Sequence, residues 1–231
     1  MSLQHLALPR AGRMANLRRH LLLRAWAARP FLQHVAKRSL DIGVASGVLL
    51  LAALPLLLVA GLIRATDGGP VLFWQDRIGR HGRTFRFPKF RSMVVNAEAL
   101  QRELDARNQH GTGVTFKLQR DPRITWIGRI IRRTSIDELP QLWCVLNGDM
   151  SLVGPRPPLP REVVRYSLHD RRRLEAVPGL TCFWQVRGRS NIPFPQQVEL
   201  DIAYIESQSL ATDLRVLAAT MPAVLTGRGA Y

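Results

Sequence analysis

From Ile42 to Ile63 the chain runs for 22 consecutive residues without a charge, between Lys37, Arg38 and Asp41 on one side and Arg64 on the other. A helix of about 20 apolar residues is long enough to cross a bilayer, whereas a helix packed on a water-soluble core usually keeps a polar face. A cleaved leader fits poorly, because its apolar stretch spans only about 7–15 residues and lies nearer the start. The run therefore reads as a single membrane-inserted segment. The chain carries a formal charge of +16, and most of that excess gathers around the run. Residues 1–91 hold 15 Lys and Arg against Asp41, Asp67 and Asp76, while residues 92–231 hold 18 against 14.

Both flanks of the apolar run are basic, and short Lys/Arg-rich flanks prefer the cytoplasmic side. A straight crossing would leave one of them on the wrong face. Pro55 lies near the middle of the run, where it removes one backbone hydrogen bond and favours a kink. A helix that enters, bends at Pro55 and returns to the same face satisfies both observations; a kinked span is the alternative. The resulting division is a basic segment over 1–36, a re-entrant membrane helix over 37–66 and a cytoplasmic domain over 67–231.

Within residues 1–36, LRRHLLLRAWAA (17–28) reads as a short basic amphipathic helix ending before Pro30, suited to an anionic membrane surface. Beyond the run, 71–75 and 84–90 read as two strands around a Gly-containing link, a hairpin carrying basic side chains. Helical periodicity is expected over 93–107, 135–147, 159–176 and 196–225, and short strands near 114–119 and 180–187. The fold class is thus α+β: a membrane helix bent at a proline plus a compact, mainly helical domain with a small hairpin or sheet. With 46% hydrophobic residues the chain is not disordered, and two distant cysteines, Cys144 and Cys182, exclude a disulfide scaffold. No CxxC pair or metal-ligand spacing of histidines is present.

The chemistry concentrates in TSIDELPQLW (134–143). Ser135 followed three residues later by Glu138 fits a capping box, and Asp137 falls in the first turn, where the helix dipole favours a negative charge. An acidic first turn is ordinary helix grammar, but three basic motifs surround it in sequence: Lys89-Phe90-Arg91-Ser92-Met93, Arg129 to Arg133, and Gly154-Pro155-Arg156-Pro157-Pro158. Arginine grips phosphate oxygens with a planar fork, and prolines lower the entropy lost in holding it. Lys89, Arg91, Arg133 and Arg156 are the candidate phosphate contacts. A carboxylate pair beside clamped phosphate suggests phosphoryl transfer, one carboxylate attacking phosphorus and the other helping to hold Mg²⁺.

The segments KRSLDI (37–42), GPVLFWQDRIGRHGRTF (69–85), KFRSM (89–93), RDPRIT (120–125), TSIDELPQLW, NGDMSLVGPRP (147–157), PGLT (178–181), WQVRGRS (184–190) and LDIAYIESQSLATDLRVL (200–217), with the apolar run, resemble the bacterial sugar transferases, or monotopic phosphoglycosyl transferases. The resemblance covers roughly residues 36–231 and implies transfer of a hexose 1-phosphate from a UDP-sugar to undecaprenyl phosphate, with release of UMP. It also implies that Asp137 is the nucleophile, that Glu138 helps bind Mg²⁺, and that Lys89 and Arg156 contact phosphate on the cytoplasmic face of the bacterial inner membrane. The ending GRGAY (227–231) resembles the branch that transfers glucose or galactose. Cys144, Cys182, Leu54 and Pro88 depart from the family's usual Asn, Gly, Ser and strand residue.

Expected partners are the UDP-sugar, undecaprenyl phosphate, membrane lipid and the downstream glycosyltransferases of the same pathway, with a homodimer left open. A nucleic-acid binder would spread basic and aromatic residues over one surface, whereas here the charge clusters beside the apolar run, so no nucleic-acid partner is expected. The remaining alternative is a catalytically inactive membrane-anchored scaffold, which the intact Asp137-Glu138 pair disfavours.

Overall fold

The computed structural model describes residues 10–97, 99–100, 121–188 and 191–226. The chain divides into two compact units, 1–39 and 40–231. Helix α1 (Arg10–Asp67) begins in the first and ends in the second. It does not stop before Pro30, as the amphipathic reading of 17–28 expected, and its helical backbone also continues through Pro55. An internal proline costs one hydrogen bond and crowds the preceding turn; a helix with strong formers on both sides can absorb this as a bend.

Within the second unit, α1 has two kinds of surface. Ala45 and Ile63 are buried, yet Leu50, Leu51, Leu54, Leu57 and Leu58 are 64–85% exposed. Only 6% of the most apolar stretch of Phe31–Thr66 is buried. A core helix would hide these leucines; this one is long and apolar enough to cross a membrane and presents them outward. Asp41 fastens the polar beginning of the unit: its buried carboxylate accepts hydrogen bonds from Ser151 Oγ at 3.1 Å and Leu152 N at 3.0 Å.

The expected hairpin is present. Strands β1 (Leu72–Ile78) and β2 (Thr84–Phe90) pair antiparallel with Phe73 opposite Lys89, Gln75 opposite Phe87 and Arg77 opposite Phe85. Because strand side chains alternate, these six residues share one face. Among the described residues the sheet has two strands, so Pro88, opposite Trp74, lies on a strand with no second described neighbour, where a missing N–H is tolerated. Helix α2 (Trp126–Arg133) buries Ile127 and Ile131 against Ile63 and Phe90. Gly128 permits this docking, since a Cβ there would lie 1.9 Å from the Ser92 carbonyl oxygen.

A second, parallel pair joins β3 (Ser151–Val153) to β4 (Gly179–Thr181). Around it lies the main core: Phe85, Phe87, Leu142, Val145, Met150, Leu152, Val153, Tyr204 and Val216, with Ala45 from α1. Gly154 and Gly179 touch directly behind the Pro-Arg-Pro turn; a Cβ on Gly179 would meet Gly154 N at 2.0 Å.

Four expected elements are corrected. Residues 135–147 form a 3-10 turn (Ile136–Gln141) and then helix α3 (Leu142–Asn147), since Pro140 cannot donate a helical hydrogen bond. Residues 159–176 hold one turn, α4 (Pro160–Val163), then a 3-10 turn at Asp170–Leu174. Ser167 and Asp170 bond reciprocally through side chain and backbone, which restarts the chain there. At 180–187 the strand ends with β4, and Phe183–Arg187 is helix α5. Residues 196–225 are two helices, α6 (Phe194–Glu206) and α7 (Leu210–Thr226), separated where Ser209 Oγ accepts from Thr212 N at 3.1 Å. Met93 makes an isolated bridge to Ile124; most of the helix expected at 93–107, and the strand at 114–119, lie outside the described residues.

Candidate active site

The Asp137-Glu138 pair sits on the 3-10 turn that follows α2, packed against β2. Its entry differs from the expected capping box. Ser135 is left-handed (φ 58°) and makes no side-chain cap; its carbonyl accepts from Glu138 N at 3.2 Å. Glu138 cannot reach back because its carboxylate is engaged elsewhere, by Arg156 Nη2 at 3.0 Å. The turn thus faces its two acids toward basic groups rather than toward its own backbone.

The two carboxylates are not equivalent. Asp137 is 9% exposed, and among the described residues none donates a hydrogen bond to its carboxylate. Burial, reinforced by the neighbouring Glu138, pushes its pKa up to about 7 against the pull of Lys89, Arg132 and Arg156. For Glu138 burial also favours the neutral acid, but the charge and hydrogen bond of Arg156, with Lys89 and Arg77 behind it, hold the pKa below the ordinary value. One acid is poised near neutrality and the other is fixed as an anion.

The cations converge from four segments. Lys89 comes from β2, where its ammonium lies 5.2 Å from the Phe73 ring centre. Burial, then the charge of Arg77, lowers its pKa to about 8. Arg156 comes from the Pro-rich turn after β3, and Arg132 from the last turn of α2. Arg77 comes from β1, on the same face as Lys89. Four positive groups against two carboxylates leave a surplus that suits a multiply charged anion.

Two of the candidate phosphate contacts lie apart from the acid pair. Arg133 is exposed and does not figure among the charges acting on Asp137, whereas Arg132 does. Ile127 and Ile131 turn inward on α2; one residue on, Arg132 borders the site, and a further 100° carries Arg133 to solvent. Arg91 is buried, but its guanidinium packs against Gly69, where a Cβ would lie 1.9 Å from Nη1. Lys89, Asp137, Glu138 and Arg156 do come together. Arg77 and Gln75 were missed, although alternation along β1 was a readable signal that both share a face with Phe73.

A hard divalent cation such as Mg²⁺ takes one or two carboxylates and fills its shell with water and substrate phosphate. The donor set fits that pattern: two adjacent carboxylates, with no cluster of three or more His, Cys, Asp or Glu among the described residues. An acid pair, a surplus of cations and an outward-facing apolar helix thus belong to one chain. Over residues 32–227 the chain matches the family described as bacterial sugar transferase. The chain belongs to that family. It is 50% identical over 198 residues to "Galactosyl transferase CpsE" of Streptococcus agalactiae, covering 85% of this chain and 43% of that protein. It is 44% identical over 198 residues to "Undecaprenyl-phosphate galactose phosphotransferase" of Salmonella typhimurium, covering 84% and 41%. With "Exopolysaccharide production protein ExoY" of Sinorhizobium fredii it shares 38% identity over 200 residues, 85% and 88% of the two chains. The chain thus spans less than half the length of the first two relatives and most of the third.

Proposed function

We propose that this sugar transferase moves a hexose 1-phosphate from a UDP-sugar to undecaprenyl phosphate, releasing UMP and forming undecaprenyl diphosphosugar, the first membrane step of exopolysaccharide or glycan assembly. The observation that carries the reading is Asp137: a buried carboxylate with no hydrogen-bond donor among the described residues, close to Lys89, Arg132 and Arg156, on a domain tied to an outward-facing apolar helix. The names of the Salmonella and Streptococcus relatives, which mention galactosyl transfer and undecaprenyl phosphate, support this substrate class, with glucose or galactose as the proposed sugar.

The reaction follows from the two carboxylates. An Asp137 oxygen attacks the phosphorus that bears the sugar; the bond to the bridging oxygen breaks, and UMP leaves with that electron pair. An oxygen of undecaprenyl phosphate then attacks the same phosphorus and returns the Asp137 carboxylate. No net proton is consumed in either step. Lys89 and Arg132 neutralise the phosphoryl oxygens beside Asp137, and Arg156, oriented by Glu138, serves the diphosphate. Mg²⁺ held by Glu138, with Asp137 adjacent, supplies further charge neutralisation when bound. Burial first, and then the charges of Arg77, Arg132 and Arg156, depress the pKa of Lys89, so an entering anion would meet cations already close together.

The same reading puts residues 37–66 of α1 in the bacterial inner membrane as a re-entrant helix bent at Pro55, with 67–231 on the cytoplasmic face and 1–36 as a basic segment outside the membrane element. Its support is the basic charge on both sides of the apolar run. Homodimerisation and hand-over of the product to downstream glycosyltransferases belong to the proposal too. The test is UMP release by nanodisc-held protein given UDP-glucose or UDP-galactose, undecaprenyl phosphate and Mg²⁺. Acceptor-dependent release from one donor is expected; folded protein that releases no UMP with either sugar overturns the reading in favour of a scaffold.

A further inference from the structure

Arg77 is not among the candidate phosphate contacts read from the sequence, yet the fold builds a socket for it. Its Nε and Nη2 donate to the same oxygen, Gln75 Oε1, at 3.1 and 2.8 Å, and Nη1 donates to the Pro157 carbonyl at 2.9 Å. Its guanidinium carbon sits 5.0 Å from the Phe87 ring centre. Ile78 N also donates to the Pro158 carbonyl at 2.9 Å, so the end of β1 grips the Pro-Arg-Pro turn at two successive carbonyls. Every one of these partners is neutral. Among the described residues Arg77 makes no ion pair, although Arg156 is close enough to be the strongest charge acting on it.

An arginine half-buried beside another cation and held only by neutral acceptors is costly unless an anion visits. Five guanidinium N–H groups are available, and the three contacts leave two of them for such a visitor. The position also discriminates between the two phosphates of a nucleotide sugar. Lys89 and Arg132 are the leading cations around Asp137, where the sugar-bearing phosphorus must sit; Arg77, whose charge Lys89 also feels, is fixed to the Pro157 carbonyl beside Arg156, the arginine that bonds Glu138.

We propose that Arg77, aimed by Gln75 and the Pro157 carbonyl, binds the phosphate that stays with the nucleotide, so that this side of the site holds the leaving UMP. The assignment rests on the transferase reading above and adds which residue grips which phosphate. Its consequence is economy of motion: the sugar phosphate passes to Asp137 while the nucleotide phosphate remains on a separate fork, free to depart before the lipid acceptor arrives.

The test is UMP binding to the nanodisc-held protein by calorimetry, which needs no turnover, alongside UMP release from the UDP-sugar. Arg77→Gln removes the charge and should weaken UMP binding by about tenfold or more, as expected for losing a charge-assisted contact. Gln75→Glu is the decisive variant. It keeps the shape of the socket and strengthens its hold on Arg77, so a purely structural role predicts no loss; a phosphate-binding role predicts weakened UMP binding, because the new carboxylate neutralises the fork. Weakened UMP affinity in folded Gln75→Glu, with a raised KM for the UDP-sugar and a smaller change in kcat, supports the assignment. Wild-type UMP affinity in Gln75→Glu overturns it while leaving the transferase reading standing. Absence of both UMP binding and UMP release in the folded wild-type protein overturns the transferase reading and this assignment together.

Discussion

Of the arginine–carboxylate pairs drawn into the domain, Arg173–Asp201 and Arg156–Glu138 are built to opposite ends. Arg173 and Asp201 are 4% and 0% exposed, and Arg173 also donates to Tyr166 Oη at 3.1 Å and lies near the Tyr166 and Phe194 rings. Arg156 and Glu138 are 28% and 26% exposed, and around them stand Lys89, Arg77 and Arg132 with one further acid, Asp137. The first pair is closed: one charge meets one charge, walled in by aromatic rings. The second has cations to spare and room beside it. Burial of a matched pair speaks to folding, whereas a surplus of one sign in a half-open site speaks to a ligand of the other sign.

The contrast is broken most sharply at Asp137. Asp137→Asn should lower turnover by at least about ten-thousandfold, because an amide cannot displace UMP, while leaving the melting temperature near that of wild type. Folded Asp137→Asn that still turns over would place Asp137 with Asp201 as a structural acid. The reverse outcome is expected at the closed pair. Arg173→Met strands Asp201 in the interior and should cost about 3–5 kcal/mol of stability, read by chemical denaturation. Asp201→Asn should cost less: burial raises the Asp201 pKa to about 6 in spite of Arg173, so its charged form is not fully compensated.

The open site should also betray itself in pH. On the proposed reaction Asp137 attacks in its ionised form, so kcat/KM for the UDP-sugar should rise with pH through about 7 and then fall as Lys89 loses its proton near about 8. Lys89→Met should reduce kcat/KM by about 10–100-fold, the scale of one charge-assisted hydrogen bond. Because Lys89 lowers the Asp137 pKa, its removal should move the acid limb to higher pH and abolish the alkaline fall. An acid limb that stays put in Lys89→Met would separate the two groups.

The difference between the pairs also marks what could be read from the residues. The apolar run, the hairpin and the approach of Lys89, Asp137, Glu138 and Arg156 were all legible, since each follows from local period or a compact motif. What escaped was decided by tertiary contacts. Arg132 rather than Arg133 faces Asp137 because of how α2 buries Ile127 and Ile131. Arg77 joins the site only because β1 pairs with β2 in one register and then grips the Pro-rich turn. The expected helix at 159–176 breaks where Ser167 and Asp170 satisfy each other's backbone. Such reciprocal bonds cannot be told from helix-compatible polar residues by periodicity alone.

The smallest expected effect lies at the entrance to the acidic turn. Ser135 adopts φ 58° without a side-chain cap, a conformation that a residue with a Cβ enters at a cost of about 1 kcal/mol or more. Glycine has no such penalty but loses more chain entropy on folding. Ser135→Gly should therefore fall within about 1 kcal/mol of wild type in stability. Ser135→Val adds a β-branch to the same φ and should lose about 1–2 kcal/mol. If the left-handed residue serves to aim Asp137 and Glu138 away from their own backbone, Ser135→Val should lower kcat more than its stability loss explains, and Ser135→Gly should restore it. Equal kcat in both variants would mean that the strain at Ser135 merely connects α2 to the turn, and that the aim of the two carboxylates is set by Arg156 and β2 instead.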